Sequence, residues 1–270
     1  MLLQSLRDRL RNKIQWIQTH HWQRFVGRVQ FLGLLFGYAQ PMEISNRSAL
    51  IVSPHQDDET LGCGGVIALK RDRDVEVNVA FITDGAASHA WHPRYANGEI
   101  VPVRQQEAIE ALGILGVENQ NIHYLGYPDG QLRWIEADRQ QQIVDQLTHL
   151  IQSTQPAEIY VTHQRDRSND HEVAYELVER AIAASGCATQ LIQYPIWILW
   201  KPVLGQDLNL KELSGLRRLR IGGVAARKAQ ALKAYRSQYQ PIADTTSTVL
   251  PSGFLWRFGL PYELFVVAAE

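Results

Sequence analysis

Cysteine is scarce in this chain of 270 residues: only Cys63 and Cys187 are present. Two thiols exclude a disulfide framework and a cysteine-rich zinc cluster, and they suit a reducing compartment such as the cytoplasm. An excess of charge of one sign is equally lacking. The formal net charge is −1, so the molecule as a whole offers no electrostatic footprint for nucleic acid. Long apolar runs are missing too. The run Phe31-Leu32-Gly33-Leu34-Leu35-Phe36 falls far short of the ~20 residues of a membrane-spanning helix. The stretch before it is too long and too basic for a signal peptide, and no clean small-residue cleavage site follows. No internal repeat or low-complexity linker is visible. What is there is an ordinary globular composition, 45% hydrophobic and 20% charged, with enough chain to bury a core unaided.

Residues 1–45 read as a basic amphipathic extension ahead of one domain spanning residues 46–270. Arg7, Arg9, Arg11, Lys13, Arg24 and Arg28 face the single acid Asp8, and Leu6, Leu10, Ile14 and Ile17 recur at helical spacing. Two placements suit such a helix. One is the flank of the domain or of a partner subunit in a homo-oligomer. The other is peripheral contact of residues 1–36 with an anionic membrane, where Trp16, Trp22 and Phe25 would sit.

Beyond it, short apolar runs alternate with helical stretches. Strands are expected at residues 48–52, 75–82, 122–125, 158–162, 191–200 and 264–268. Helices are expected to about residue 73 and over 102–115, 135–153 and 170–184, with one long or two shorter helices over 217–239. Strands alternating with helices of this length predict an α/β fold, a Rossmann-like, mostly parallel sheet with helices on both faces. Ligands then bind outside the carboxyl ends of the strands. An unusual set of polar residues stands at those ends: His55, Asp57, Asp58 and Glu59, then Asp84, Asp129, and finally His163, Asp166, Asp170 and His171.

Three carboxylates beside one histidine repel each other unless a cation sits among them. His55 and Asp58, three residues apart where strand turns into helix, can face one point, with Asp57 to one side. Nitrogen and oxygen donors suit zinc, and a catalytic zinc takes three protein ligands and keeps one position open. The third ligand should come from another strand end, from His171 or His163. Capping of the following helix explains one acid but not the whole cluster.

The run Pro54-His55-Gln56-Asp57-Asp58-Glu59-Thr60-Leu61-Gly62-Cys63-Gly64-Gly65 resembles the signature of the PIG-L/LmbE-type zinc deacetylases. Thr83-Asp84-Gly85, the stretch Arg104 to Ala108 with Leu112-Gly113, Pro128-Asp129-Gly130 and Asp170-His171 follow in the family's order. The resemblance spans residues 49 to about 180. It implies a Rossmann-like fold and zinc held by His55, Asp58 and His171. It also implies Asp57 as the general base and Arg104 as a substrate contact. Family members remove N-acetyl groups from glucosamine-containing glycolipids and glycosides, so the implied partner is an N-acetylated sugar or glycolipid.

Other residues carry weaker signals. Many relatives have a second histidine three positions before the third ligand; Ser168 stands there, and serine cannot act as a cationic acid. His163 is the candidate replacement as a catalytic group. Asp84 and Asp129 beside glycines suit plain turns, while their strand-end positions suit substrate contact. Arg104 and Glu107, one helical turn apart, could simply pair. Asp170 would orient a ligand histidine or cap its helix. Trp197 and Trp200 suit a sugar pocket or the core. Two rival readings remain. A dinucleotide-binding turn at Gly62-Cys63-Gly64-Gly65 would need its last glycine where Ile67 stands. A non-catalytic carbohydrate-binding protein on the same fold would explain Ser168 as lost activity.

Overall fold

The computed structural model describes residue 22 and residues 25–200, 208–242 and 246–267. The apolar spacing expected from Leu6 to Ile17 lies outside the described residues. One sheet of eight strands runs through the molecule: β1 (Gln40–Met42), β2 (Ala49–Ser53), β3 (Val77–Thr83), β4 (Ile122–Tyr127), β5 (Glu158–Thr162), β6 (Gln190–Tyr194), β7 (Leu216–Arg220) and β8 (Tyr262–Val267). Their order is β1-β7-β8-β6-β5-β2-β3-β4. Only β8 runs against its neighbours, pairing antiparallel with both β6 and β7. The expectation of a mostly parallel α/β sheet therefore holds.

β2 lies at the centre, with Ala49 opposite Val77 on one side and Glu158 on the other. Its five residues are all buried, as a strand covered on both faces requires. Alternate residues serve opposite faces. Ala49 and Ile51 join the core under α1 (Asp58–Arg71) and α2 (Val101–Leu115). Leu50 and Val52 join a second core under α3 (Ala137–Thr154) and α4 (Asn169–Ser185). The connections place the residues just past β2, β3, β4 and β5 at one end of the sheet.

The glycines after β2 lie inside α1, not in a loop before it. A Cβ on Gly62 would come within 2.3 Å of the Tyr194 ring, and one on Gly65 within 2.4 Å of Ile221. They let the helix press against its neighbours, which leaves the dinucleotide reading without a phosphate cradle. A buried ion pair secures the same helix. Lys228 Nζ donates to Glu263 Oε1 and to the Leu61 carbonyl, both at 2.7 Å. Glu263 also accepts the Gly65 and Val66 N–H groups at 2.6 and 2.9 Å.

Three boundaries differ from the sequence reading. The strand expected over 191–200 stops at Tyr194, because Pro195 cannot donate to the ladder. Residues 217–239 are not helical throughout: β7 occupies Leu216–Arg220, and short helices α6 (Ala225–Leu232) and α7 (Arg236–Tyr239) follow a further helix, α5 (Leu210–Ser214). Finally, packing does not begin at residue 46. Phe31, Leu34, Leu35 and Ala39 belong to the core, and β1 extends the sheet by pairing with β7. Cys63 and Cys187 are both free thiols.

Candidate metal centre

The turn out of β2 delivers His55 and starts α1 at Asp58, while the loop after β5 starts α4 and delivers His171. The two imidazole centroids stand 5.3 Å apart. Between them lies one carboxylate oxygen: Asp58 Oδ2 is 3.1 Å from His55 Nδ1 and 3.2 Å from His171 Nε2. These donor atoms all lie within 4.8 Å of one another. The expected ligand set, His55, Asp58 and His171, is thus brought together.

His171 is fully buried, and Asp166 Oδ2 holds its Nδ1 at 2.7 Å. The other oxygen of Asp166 accepts the N–H groups of Ile196 and Ile198 at 2.9 and 3.1 Å. This leaves His171 Nε2 buried with no well-formed hydrogen bond, only the 3.2 Å approach to the Asp58 carboxylate. A buried nitrogen so poorly paired is costly for a protein and useful to a cation. The donor set, two imidazoles and one carboxylate, fits zinc.

A second grouping involves the far side of His55. Its Nε2 lies 3.0 Å from Asp129 Oδ1 and 3.3 Å from Asp170 Oδ2. Here the carboxylates have other work. Asp170 accepts the Gly130 and Leu132 N–H groups at 2.7 and 3.1 Å, and Asp129 accepts that of Ala87 at 2.9 Å. These two acids orient His55 and tie down the loop after β4. Asp170 does not cap α4. Asp129, expected as a substrate contact, touches His55 directly.

The site's electrostatics follow from burial among opposed charges. Burial opposes protonation of His171, but the carboxylates of Asp58 and Asp166 outweigh it and raise its pKa to about 9. His55 is raised well above its usual value despite burial, by Asp129, Asp170 and Asp58. Burial pushes Asp58 up, yet the two histidines hold it well below the ordinary carboxylate range. Asp57 moves the other way: burial and then the charge of Asp58 lift it to about 8, against the pull of Arg104 and His55.

Asp57 adopts φ 142° and ψ −28°, a conformation that disfavours any residue with a side chain. Its N–H donates to Glu59 Oε2 at 3.0 Å, and Glu59 is bonded in turn by the hydroxyls of Thr60 and Tyr235. The Asp57 carboxylate lies 3.6 Å from Arg104 Nη2. Arg104 is buried and donates to the carbonyls of Gln56 and Gly85 at 2.7 and 3.1 Å. It does not pair with Glu107, which accepts from the backbone N–H and hydroxyl of Ser237 at 2.8 and 2.6 Å.

A cavity of about 590 Å³ opens onto these groups, within the usual range for small-molecule sites. His55, Asp57, Asp58, Arg104 and Asp129 form its polar floor. Arg167, Ser168 and Asn169 line one side, and Ile196, Trp197, Leu250 and Phe254 form an apolar wall. Trp197 packs on Phe254 at 4.8 Å, whereas Trp200 lies behind it against Phe254 and under Arg257.

Two expected residues stand elsewhere. His163 is buried, with Nδ1 accepting from the Arg165 N–H at 3.2 Å and Nε2 3.6 Å from Glu212. It is not among the residues lining the cavity. Asp84 is also absent from that lining; its Oδ1 accepts the N–H groups of Ala86 and Asp129 at 2.9 and 3.2 Å, which is the work of a turn. Sequence reasoning missed the pairing of Asp166 with His171, although Asp166 was visible as a strand-end acid. It also missed Leu250 and Phe254, for which no motif gives a signal.

Comparison with known proteins adds the following. Residues 50–182 match the family model described as PIG-L, GlcNAc-PI de-N-acetylase. The chain is 30% identical over 197 residues to a probable N-acetyl-alpha-D-glucosaminyl L-malate deacetylase 2 of Bacillus subtilis, covering 70% of this chain and 82% of that protein. The similarly named protein of Bacillus cereus is 27% identical over 205 residues, covering 74% of this chain and 87% of its own. Among solved structures, the N,N'-diacetylchitobiose deacetylase of Pyrococcus horikoshii aligns with a TM-score of 0.58 at 20% identity, covering 78% of this chain and 73% of that one. At that identity the likeness concerns the fold.

Proposed function

The chain belongs to the PIG-L family, GlcNAc-PI de-N-acetylase, and from that premise we propose that it is a zinc-dependent hydrolase removing an N-acetyl group from an amino-sugar-containing substrate. The observation that carries the reading is the convergence of His55 Nδ1 and buried His171 Nε2 on one oxygen of Asp58, with all donor atoms within 4.8 Å. His55, Asp58 and His171 would hold the ion. Zinc bound there supplies a Lewis acid for the amide carbonyl and lowers the pKa of water beside it.

The remaining chemistry belongs to side chains. Asp57 lies beside the ligand pair and faces the cavity. The charge of Asp58 helps hold Asp57 protonated; when Asp58 ligates a cation that repulsion is offset, and Asp57 can serve as a base near neutral pH. Its carboxylate takes one proton from the attacking water. The water oxygen bonds to the acyl carbon, the C–N bond breaks, and the proton passes to the departing nitrogen. The products are acetate and a free amine. Arg104, anchored on two carbonyls, fixes the Asp57 carboxylate and offers a cationic edge to substrate. Trp197 and Phe254 give an apolar face on which a sugar ring or its substituent can pack. Ser168, also in the lining, can donate a hydrogen bond, but it brings no cationic acid.

The test is acetate release from a panel of N-acetylated sugars by the purified protein, with metal analysis and with and without chelator. Release that stops on chelation and returns with zinc is expected. Glycan binding that persists under chelation, with no acetate released by the zinc-loaded protein, would replace the hydrolase with a carbohydrate binder.

A further inference from the structure

Residues 25–33 are helical, and this helix has two apolar faces rather than one. The inner face is seated on the domain. Phe31 is 3% exposed and meets Trp256 edge-on at 6.1 Å. Gly27 approaches so closely that a Cβ there would lie 3.0 Å from the Trp200 carbonyl. Leu34 and Leu35, in the π-helical turn that follows (Leu34–Tyr38), are fully buried.

The outer face is exposed, although the Phe36 ring also meets Tyr262 edge-on at 5.6 Å. Trp22, Phe25, Val29 and Phe36 are more than half exposed, at 65%, 57%, 53% and 55%, and Leu32 stands between them at 37%. Their spacing of three, four, three and four residues draws one stripe along a helix. A contiguous apolar stripe of this size marks a surface meant to be covered.

Charge indicates by what. Residues 9–42 contain no aspartate or glutamate, yet they carry Arg9, Arg11, Lys13, Arg24 and Arg28, in a chain whose formal charge is −1. Among the described residues, Arg28 is exposed next to the stripe, and Arg218 lies over the Phe36 ring at 5.6 Å. Two copies meeting stripe to stripe would crowd Arg28 and Arg218 of each at the contact, with no acid of residues 9–42 to pair them. An anionic lipid surface pairs with the cations and accepts tryptophan and phenylalanine rings at its headgroup level. Among the described residues no helix is long and apolar enough to cross a membrane, so the helix lies along the interface.

We propose that this helix docks the protein on an anionic phospholipid surface, with Trp22, Phe25, Val29, Leu32 and Phe36 inserted between headgroups. The proposal is independent of the hydrolase reading and stands or falls without it. The test is co-sedimentation of the full chain with vesicles of phosphatidylcholine alone, or of phosphatidylcholine and phosphatidylglycerol at about 7:3. Binding to the anionic vesicles only, weakened by added salt, is expected. The double variant Phe25→Ser/Val29→Ser should lower partitioning about 10-fold or more at an unchanged melting temperature. The triple variant Arg9→Gln/Arg11→Gln/Lys13→Gln should lower it while leaving the apolar stripe intact. Equal binding to both vesicle types, no binding to either, or full binding by the double variant overturns the proposal. So does a lipid-free dimer that the same double variant dissociates, which would make the stripe a contact between copies.

Discussion

Asp166 spans two parts of the fold: one oxygen holds His171 Nδ1 at 2.7 Å, and the other accepts the N–H groups of Ile196 and Ile198. The carboxylate therefore sets the imidazole's orientation and leaves Nε2 as the outward donor atom. Asp166→Asn should keep the fold but present the wrong hydrogen-bonding group to Nδ1. Zinc affinity, measured by competition with a chromogenic chelator, is expected to fall about 10–100-fold. An unchanged affinity would remove Asp166 from the account of the site.

Asp57 is assigned to proton transfer and not to metal binding, and one substitution separates the two. Asp57→Asn should lower acetate release by about 10²–10⁴-fold, while metal analysis still finds zinc bound. Loss of zinc together with activity would instead make Asp57 a ligand.

Metal uptake should depend on pH in a defined direction. Burial opposes the charged form of His171, but Asp58 and Asp166 raise its pKa to about 9, and His55 is raised as well. Both rings must lose a proton before a cation can replace it. Affinity is therefore expected to climb towards about pH 9, roughly tenfold per unit for the His171 proton, with the His55 proton steepening the rise. The metal-free protein should show the opposite trend. The stabilising contacts of protonated His171 are fully present below the unfolded value of 6.5 and fade as pH rises through about 9. Chelator competition and thermal melting of the metal-free protein across this window check both signs.

Lys228 and Glu263 brace α1, Glu263 from β8 and Lys228 from α6. Lys228→Met leaves the buried Glu263 carboxylate with two backbone donors and no counter-charge. Breaking such a pair typically costs about 3–5 kcal/mol, readable in urea unfolding. The double variant Lys228→Met/Glu263→Gln should recover part of that loss. No recovery would mean that the lost donor to the Leu61 carbonyl, not the charge of Lys228, matters most.

The sequence made some of this legible and hid the rest for identifiable reasons. β2, β3 and β5 are short apolar runs buried on both faces, so composition alone marks them. The candidate ligands are partly legible because strand ends in a parallel sheet converge, which sets His55 and Asp58 near His171 or His163; the family resemblance then singles out His171. β7 falls within the helical stretch expected over 217–239; its pairing with β1 and β8 makes it a strand instead. β1 is three residues long and mostly exposed, too little for a periodic signal. The role of Asp166 and the apolar wall at Leu250 and Phe254 depend on contacts between distant segments, which no local motif encodes.

The backbone at Asp57 has an evolutionary consequence. Glycine would fit the φ of 142° with less strain than aspartate does, so the replacement that relaxes this position also deletes the proposed base. Selection for thermal endurance alone would push residue 57 towards glycine, and selection for turnover would push it back. Sequences evolved in the laboratory under heat with no catalytic screen should drift to a sturdier, inert protein at this position first.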